Sequence, residues 1–289
     1  MTLLEQLKAP ELTLSFEVFP PKTDTSLENV RAATEKIARL KPSFVSVTYG
    51  AGGAGSRFTL EIAGSLRETT GVEILVHVTS VGSDPDTLQV FLDKMRRHGL
   101  RNVMALRGDL PPDGKEPATY PHAADLIREI RRAGPFCIGA ACYPEVHPES
   151  KNQAEDIRSL REKQEAGADF LTTQMFFDNN LLYNFLYKLR EAGVTLPVVP
   201  GIMPITAANQ VRRARELSGC FMPRRFISLV DRFGGDAAAM TQAGIAYATD
   251  QIIDLYANGI RHVHVYTMNK PEVAEAIRNN LKELLGKRF

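Results

Sequence analysis

The feature that most constrains the fold is a regular alternation of β-rich apolar runs with segments of helical periodicity. Between the runs, apolar residues recur at i, i+3, i+4 and i+7, as a helix with one buried face requires. Eight strand–helix pairs over 289 residues favour a closed (β/α)8 barrel, an α/β fold of the TIM-barrel type, over an open parallel sheet. The predicted strands are 12–19, 44–48, 73–79, 102–106, 136–142, 170–174, 197–200 and 261–266.

Local signals place several helix ends. Asp84 followed by Pro85 predicts a helix that begins with proline at its first position. Thr25 with Glu28 fits a capping box. The longer segment 218–258 predicts an inserted helix followed by the barrel's own helix. No Ser/Gly linker or shift in composition divides the chain, so we expect one catalytic domain spanning residues 1–289.

Charge and hydropathy exclude several classes of protein. Thirty-five Lys and Arg against 34 Asp and Glu leave a net charge of +1, which gives no electrostatic case for binding nucleic acid or an anionic membrane. The longest apolar runs fall far short of the roughly 20 residues of a membrane span. The N-terminal segment lacks the pattern of a signal peptide, and the three cysteines form no C-x-x-C pair. We therefore expect a soluble, cytoplasmic protein that binds neither nucleic acid nor a membrane.

Polar side chains gather where the predicted strands end. In a β/α barrel the loops at the carboxyl ends of the strands form the mouth, where active sites lie. The strand bodies are Val, Ile, Leu and Phe, and no comparable polar set follows the opposite ends. This pattern predicts an enzyme. The residues at the carboxyl ends are Glu17, Thr48, Tyr49, His77, Thr79, Arg107, Gly108, Asp109, Tyr143, Gln174, Gly201 and Tyr266.

Glu17 is the most informative of these residues. Strand alternation puts Thr13, Ser15 and Glu17 on one face, and the apolar residues between them should pack outward against helices. Glu17 would then point into the barrel near its mouth. There the loss of solvation should raise its pKa, which suits a general acid. The alternative is a structural glutamate that forms a salt bridge with Arg107 or a neighbouring lysine.

Two further motifs have competing interpretations. Residues 50–55 match G-x-G-x-x-G, but the match follows the second strand of a barrel-like pattern and no helix is expected well before Arg57, so a mouth loop is favoured over a dinucleotide-binding turn. His262 and His264 share a strand face, as metal ligands can. With no other clear ligand pair among the six histidines, we favour packed or hydrogen-bonded imidazoles and expect no metal.

Several segments together resemble one enzyme family. SFEVFPPK (15–22), FVSVTYGA (44–51), ALRGDLPP (105–112) and ACYPEVHPE (141–149) resemble methylenetetrahydrofolate reductases of the bacterial single-domain type. TQMFFD (173–178), PGIMP (200–204) and HVYTMN (264–269) continue the resemblance in the same order. It covers residues 14 to 269 and agrees with the barrel predicted from periodicity.

The resemblance implies FAD bound non-covalently at the mouth, reduced by NADH or NADPH, which then reduces methylenetetrahydrofolate in a ping-pong reaction. It implies that Glu17 is the general acid and that relatives are often homo-oligomers. The implied contacts of the folate are Glu17, Asp109, Gln174, Gln210 and Lys270. The implied contacts of FAD and the nicotinamide are Thr48, Tyr49, Ala51, His77, Arg107, Gly108, Asp109, Ala123, Tyr143, His147, Asp156 and Lys163.

The chain also departs from the family pattern. Lys270 stands where the family often has Arg, and Ala214 aligns with an aromatic residue that stacks on ligands in some relatives, a role that Phe221 could take over. Glu162 puts a negative charge near the expected phosphates. Two alternatives to a flavin-dependent reductase stay open: a flavin-free, methyltransferase-like barrel that binds a folate or pterin, and a non-catalytic metabolite binder.

Overall fold

The computed structural model describes residues 2–21, 23–49, 55–110 and 119–288. Its strands form one parallel sheet in the order β7-β6-β5-β4-β3-β2-β1-β9-β8. This sheet confirms the predicted barrel. The strands are β1 Thr13–Val18, β2 Phe44–Val47, β3 Glu73–Thr79, β4 Asn102–Leu106, β5 Cys137–Cys142, β6 Phe170–Thr173, β7 Val198–Val199, β8 Gly201–Ile202 and β9 His262–Tyr266.

The expected seventh strand is split in two. β7 pairs with β6, and β8 pairs with β9, so the two short pieces stand in the place of one strand between β6 and β9. Pro200 lies between them and has no N–H to donate to a sheet ladder. Its carbonyl still accepts the N–H of His264 at 2.8 Å. The prediction of one strand over 197–200 is therefore corrected, because the strand breaks at the proline and continues beyond it.

Helices alternate with the strands and cover the outside of the barrel. Between β8 and β9 lie three of them, and α9 and α10 match the inserted helix and the barrel helix expected within 218–258. The helices are α1 Leu3–Lys8, α2 Leu27–Ala38, α3 Gly55–Thr70, α4 Pro85–Arg97, α5 Ala123–Ala133, α6 Gln153–Ala166, α7 Asn179–Glu191, α8 Asn209–Ser218, α9 Arg224–Phe233, α10 Ala237–Ala257 and α11 Pro271–Asn280.

The two predicted helix starts had different outcomes. Asp84 caps α4 as expected, since its carboxylate accepts the Thr87 N–H and Pro85 is the first helical residue. The capping box at Thr25 is wrong. Residues Asp24–Ser26 form a 3-10 turn, and α2 begins after it with Ser26 as the N-cap, whose hydroxyl donates to the Thr23 carbonyl and does not cap the helix.

Strand alternation places apolar residues in separate clusters on the two sides of the sheet. The outward residues of β1 (Leu14, Phe16 and Val18) are buried in the large core shared with the surrounding helices. Inside the barrel, α1 closes the lower end, where Leu3 and Leu7 pack in a smaller cluster with Phe44, Leu75, Met104, Phe170 and Val199. The barrel thus has an apolar floor, and polar residues lie above it. Among the described residues, no helix is long and apolar enough to cross a membrane.

Candidate active site at the barrel mouth

Glu17 points into the barrel, as strand alternation predicts. The parallel register sets Ser46 of β2 on one side of it and Tyr266 of β9 on the other. Its Oε2 lies 3.4 Å from the Ser46 hydroxyl, which donates to it, and 3.6 Å from His77 Nε2. His264 Nε2 is 3.9 Å away. The carboxylate keeps 23% of its side-chain exposure, so it faces the mouth from a mostly enclosed position.

His264 is fixed beside this carboxylate by hydrogen bonds. Its Nδ1 lies 2.7 Å from the Ser15 hydroxyl and its Nε2 lies 2.9 Å from the Ser46 hydroxyl, while its ring stacks on Phe44 at 5.3 Å. His262 is hydrogen bonded to Thr13 in the same way, at 2.7 Å. The hydrogen-bonded interpretation of the two imidazoles is therefore confirmed. Within the described ranges, no three His, Cys, Asp or Glu side chains are grouped to hold a metal ion.

The pKa of Glu17 differs from the prediction. Burial raises this pKa, as expected from the loss of solvation. His264, His77 and the Ser46 hydroxyl, which all approach the carboxylate, together lower it more, and the net shift is downward. The pKa of His77 is also lowered, mainly by burial, against the attraction of Glu17. In the ligand-free protein at neutral pH, a glutamate anion therefore lies beside a neutral His77.

A second set of polar residues lies across the mouth, on the loops after β4 and β5. The rings of Tyr143 and His147 pack edge to face, with their centroids 4.5 Å apart. Burial raises the pKa of the Tyr143 phenol, a hydrogen bond with Gln174 lowers it, and the charge of Asp109 raises it. These predicted residues are therefore neighbours. Arg107, the candidate partner of Glu17 in the structural alternative, forms a two-pronged ion pair with Glu149 at 2.5 and 2.7 Å.

Buried charge continues along α6. Asp156 is only 5% exposed, and its Oδ2 has no hydrogen-bond partner within the described part of the chain. Burial raises the pKa of Asp156 and lowers that of Lys163, whose Nζ donates to the Ala141 carbonyl at 2.8 Å. Each charge partly offsets the burial of the other. A buried oxygen without a partner is costly, so this site is suited to a polar ligand.

Gln210 and Lys270 meet at Thr206, in the loop after β8. The Lys270 ammonium donates to the Thr206 hydroxyl at 2.8 Å. The Gln210 side-chain oxygen accepts the backbone N–H of Thr206 at 2.8 Å and that of Ala207 at 3.0 Å. The two residues predicted to bind folate are thus brought together by the fold, and each is already engaged with the protein.

The other predicted contacts are distributed more widely. The Tyr49 ring packs against Phe91 at 5.9 Å and lines an outer cavity of about 750 Å³ between α3 and α4. The Thr48 carbonyl accepts the Thr59 hydroxyl at 2.9 Å, and Ala123 is the buried first residue of α5. Ala51 lies outside the described residues, as do 50–54 of the glycine-rich segment; α3 begins at Gly55, two residues before Arg57. Contact of these residues with a cofactor stays a prediction.

The two candidates for a stacking aromatic are in different environments. Ala214 is 3% exposed and packs in a core cluster with Phe177 and Phe226, so it offers no surface at the mouth. Phe221 is 56% exposed, and its backbone N–H donates to the Glu145 carboxylate at 2.6 Å. Glu145 follows Tyr143 by two residues, which places Phe221 next to a mouth loop.

Sequence reasoning missed two residues of the Glu17 cluster, Ser46 and His264. Ser46 is buried on the interior face of β2, and His264 is buried on β9, where the sequence predicted only a packed or hydrogen-bonded imidazole. The signal that could have found His264 is the register of β1 against β9. This register aligns His264 with Ser15, which lies two residues before Glu17 on the same face of β1. The contact of Ser46 with Glu17 forms when β1 pairs with β2, and that of His264 forms only when the first and last strands pair.

The fold and site define an α/β-barrel protein with a carboxylate–imidazole cluster at the carboxyl ends of its strands. The family model described as methylenetetrahydrofolate reductase matches residues 2–282. The chain belongs to the methylenetetrahydrofolate reductase family. The 5,10-methylenetetrahydrofolate reductase of Escherichia coli is 33% identical over 94% of this chain and 91% of its own. The 5,10-methylenetetrahydrofolate reductase of Pectobacterium carotovorum is 34% identical over 93% of this chain and 90% of its own.

More distant comparisons agree with the fold. The methylenetetrahydrofolate reductase (NADH) 1 of Zea mays is 32% identical over 96% of this chain, which spans 50% of that relative. A solved Clostridium thermocellum protein, described as binding two copies of 5-methyl-5,6,7,8-tetrahydrofolic acid, has a TM-score of 0.69 at 11% identity and covers 98% of this chain and 100% of its own. A solved 2,3-dimethylmalate lyase has a TM-score of 0.56 at 11% identity, and the match covers 98% of this chain and 87% of the lyase.

Proposed function

We propose that this protein reduces 5,10-methylenetetrahydrofolate to 5-methyltetrahydrofolate in cytoplasmic one-carbon metabolism, with NADH or NADPH as the reductant and FAD as the intermediate hydride carrier. The observation that carries the proposal is the Glu17 carboxylate, held among His77, His264 and Ser46 at the barrel mouth. The named reductases that share a third of this sequence support the reaction.

We also propose that the protein forms a homo-oligomer, which sedimentation would test.

The residues present fit a flavin dinucleotide. A bound ribose hydroxyl would donate to the orphaned Asp156 Oδ2, and a phosphate would accept from the neighbouring, buried Lys163. Gly108 has φ +86°, and a Cβ there would lie 3.0 Å from Thr79, so a bare backbone is required where a ligand would approach. When bound, FAD would accept a hydride from the nicotinamide and donate it to the folate carbon.

Glu17 would hold and deliver the proton of the folate step. A ring system stacked over the mouth would cover the remaining 23% of its exposure, and this further loss of solvation raises the pKa of a carboxylate. Glu17 could then carry a proton to a folate nitrogen as a general acid. Ser46 and His264 keep the carboxylate aimed at the mouth, and His77, Thr48 and Asp109 would face the flavin and nicotinamide.

The remaining predicted residues would bind the folate. Gln174, beside Tyr143, can donate and accept hydrogen bonds at a pterin edge. Lys270 and Gln210 would face the glutamate end, where the Lys270 ammonium supplies charge without the two-pronged geometry of an arginine. Lys270 would exchange its bond to Thr206 for the folate carboxylate.

The decisive experiment measures two half-reactions separately: reduction of the flavin by the nicotinamide, and reoxidation of the flavin by methylenetetrahydrofolate. Purified protein should be yellow, and the colour should bleach anaerobically with one or both reduced nicotinamides. In Glu17→Gln, bleaching should continue, but reoxidation by methylenetetrahydrofolate should fall by at least about 100-fold, as loss of a general acid predicts. Glu35→Gln, which removes a partly exposed carboxylate paired with Arg39 on α2, is the matched control.

Three outcomes would contradict this function. Equal loss of both half-reactions in Glu17→Gln would contradict the assigned role of the carboxylate. A colourless protein that cannot be reconstituted with FAD would favour the flavin-free barrel. A yellow protein that bleaches but is never reoxidised by the folate would contradict the substrate.

A further inference from the structure

The ion pair between Arg107 and Glu149 joins a predicted cofactor contact to the last residue of ACYPEVHPE (141–149), for which the sequence predicted no role. Both guanidinium Nη atoms donate to the two carboxylate oxygens, at 2.5 and 2.7 Å. The Arg107 side chain is 20% exposed, whereas that of Glu149 is 54% exposed. The arginine is therefore fixed at the base of the pair, and the glutamate approaches it from the solvent side.

Arg107 is part of a cluster of basic groups. Burial lowers the pKa of His147, Glu149 raises it, and the charges of Lys163 and Arg107 lower it further. Arg107 also lowers the pKa of Lys163, after the larger effect of burial. Three basic side chains from the loop after β4, the loop after β5 and α6 thus lie within electrostatic range of one another. Asp156 partly offsets the charge of Lys163, and Glu149 supplies the counter-charge at Arg107.

We propose that Glu149 is an exchangeable counter-anion, which occupies the Arg107 fork until a phosphate group of the cofactor displaces it. Carboxylates and phosphates bind the guanidinium fork with the same two-pronged geometry, so one can replace the other. The exposure of Glu149 lets its side chain move into solvent while Arg107 stays in place. This inference rests on the proposed function, because it requires a cofactor that carries phosphates.

The exchange has a measurable consequence for affinity. A phosphate must break the Arg107–Glu149 pair before it binds, and an exposed ion pair lowers binding by about twofold to fivefold. Glu149→Gln removes the competing charge. FAD and FMN should then bind about twofold to fivefold more tightly, with the larger difference at low ionic strength. Riboflavin, which has no phosphate, should bind both proteins equally.

The test is a flavin-fluorescence titration of the apoprotein with FAD, FMN and riboflavin. Glu35→Gln is the matched control, since it removes one carboxylate from another Arg–Glu pair, far along the sequence on α2, and should leave all three affinities unchanged. In the Arg107→Met background, Glu149→Gln should no longer tighten binding of FAD. Circular dichroism of each variant verifies the fold.

The outcomes are distinguishable. Unchanged or weaker FAD binding in Glu149→Gln, with normal binding by the wild type, overturns the exchange and leaves the proposed function intact. Equal tightening of riboflavin also overturns it, because the effect would not involve phosphate. Absence of FAD binding in every folded variant contradicts both the exchange and the proposed function.

Discussion

The ionisation of Glu17 depends on side chains that are remote in the sequence. Its immediate neighbours are apolar, and from them alone a raised pKa follows. Ser46, His77 and His264 reach it across strands β2, β3 and β9, and their combined effect exceeds that of burial. Because the pKa is lowered in the folded state, ionised Glu17 contributes stability above the unfolded pKa, and this contribution is lost as pH falls through the folded pKa.

Asp156 has the opposite shift and gives a prediction for the cofactor-free protein. Burial raises its pKa in the folded state above the roughly 3.9 of an unfolded chain. Ionising Asp156 in the folded protein therefore costs folding free energy. The wild type loses stability as pH rises from the unfolded pKa to the folded pKa of this carboxyl group. Asp156→Asn cannot ionise, so its stability relative to the wild type should increase from pH 4 to pH 7.

Urea unfolding of both proteins across this pH range measures the difference. Asp231→Asn, on an exposed turn of α9, is the surface control for the replacement of an aspartate by asparagine. If the difference for Asp156→Asn did not exceed that of this control at any pH, Asp156 would be solvated in the cofactor-free protein.

Strand β8 shows how a glycine positions two elements at once. A Cβ on Gly201 would lie 2.3 Å from the Tyr266 hydroxyl and 2.5 Å from the Thr173 carbonyl. These two atoms are hydrogen bonded to each other at 2.5 Å, and they join β6 to β9 across the gap left by the short β7 and β8. Only a residue without a side chain fits there, so the split strand and the Tyr266 bond depend on Gly201.

Gly201→Ala should therefore lower the free energy of unfolding by about 1–3 kcal/mol, the usual cost of overpacking. Gly235→Ala is the matched control, because a Cβ there meets nothing within 4 Å. Urea midpoints of the two variants test the expectation. Equal midpoints would show that the ends of β6 and β9 separate easily.

Helix α10 sets the position of the predicted folate end. A Cβ on Gly244 would lie 1.8 Å from the Ile205 carbonyl, so the helix backbone packs directly on the loop that carries Thr206. Thr206 in turn holds Gln210 and Lys270. The placement of these two side chains is thus a property of helix packing, and a strand pattern could not supply it.

For the whole molecule, cofactor binding should appear as added stability. Anything that binds only the folded state stabilises it by RT ln(1 + [L]/Kd), about 2.7 kcal/mol at 100 times Kd. Adding FAD to the apoprotein should raise its Tm by several degrees, with the shift growing with the logarithm of FAD concentration. Differential scanning calorimetry measures the shift, and adenosine alone serves as a control. A Tm independent of FAD concentration would contradict a flavin site.

The barrel itself was predictable from the chain, because the periods that distinguish strands from helices are local properties. Two strands, Glu73–Thr79 and Asn102–Leu106, have the predicted bounds, and the mouth position and inward direction of Glu17 followed from alternation. The flavin and the identities of the ligand contacts came from resemblance to a family, since no spacing in the chain specifies them.

The neighbours of Glu17 and the charge state that they impose could not be predicted in this way. His264 reaches Glu17 because β1 pairs with β9, and Arg107 meets Glu149 because the loops after β4 and β5 lie side by side. Such contacts join residues from distant parts of the chain once the barrel closes. Electrostatic interactions act through space and depend on burial, so they are set by the folded arrangement, whereas periodicity is written along the chain.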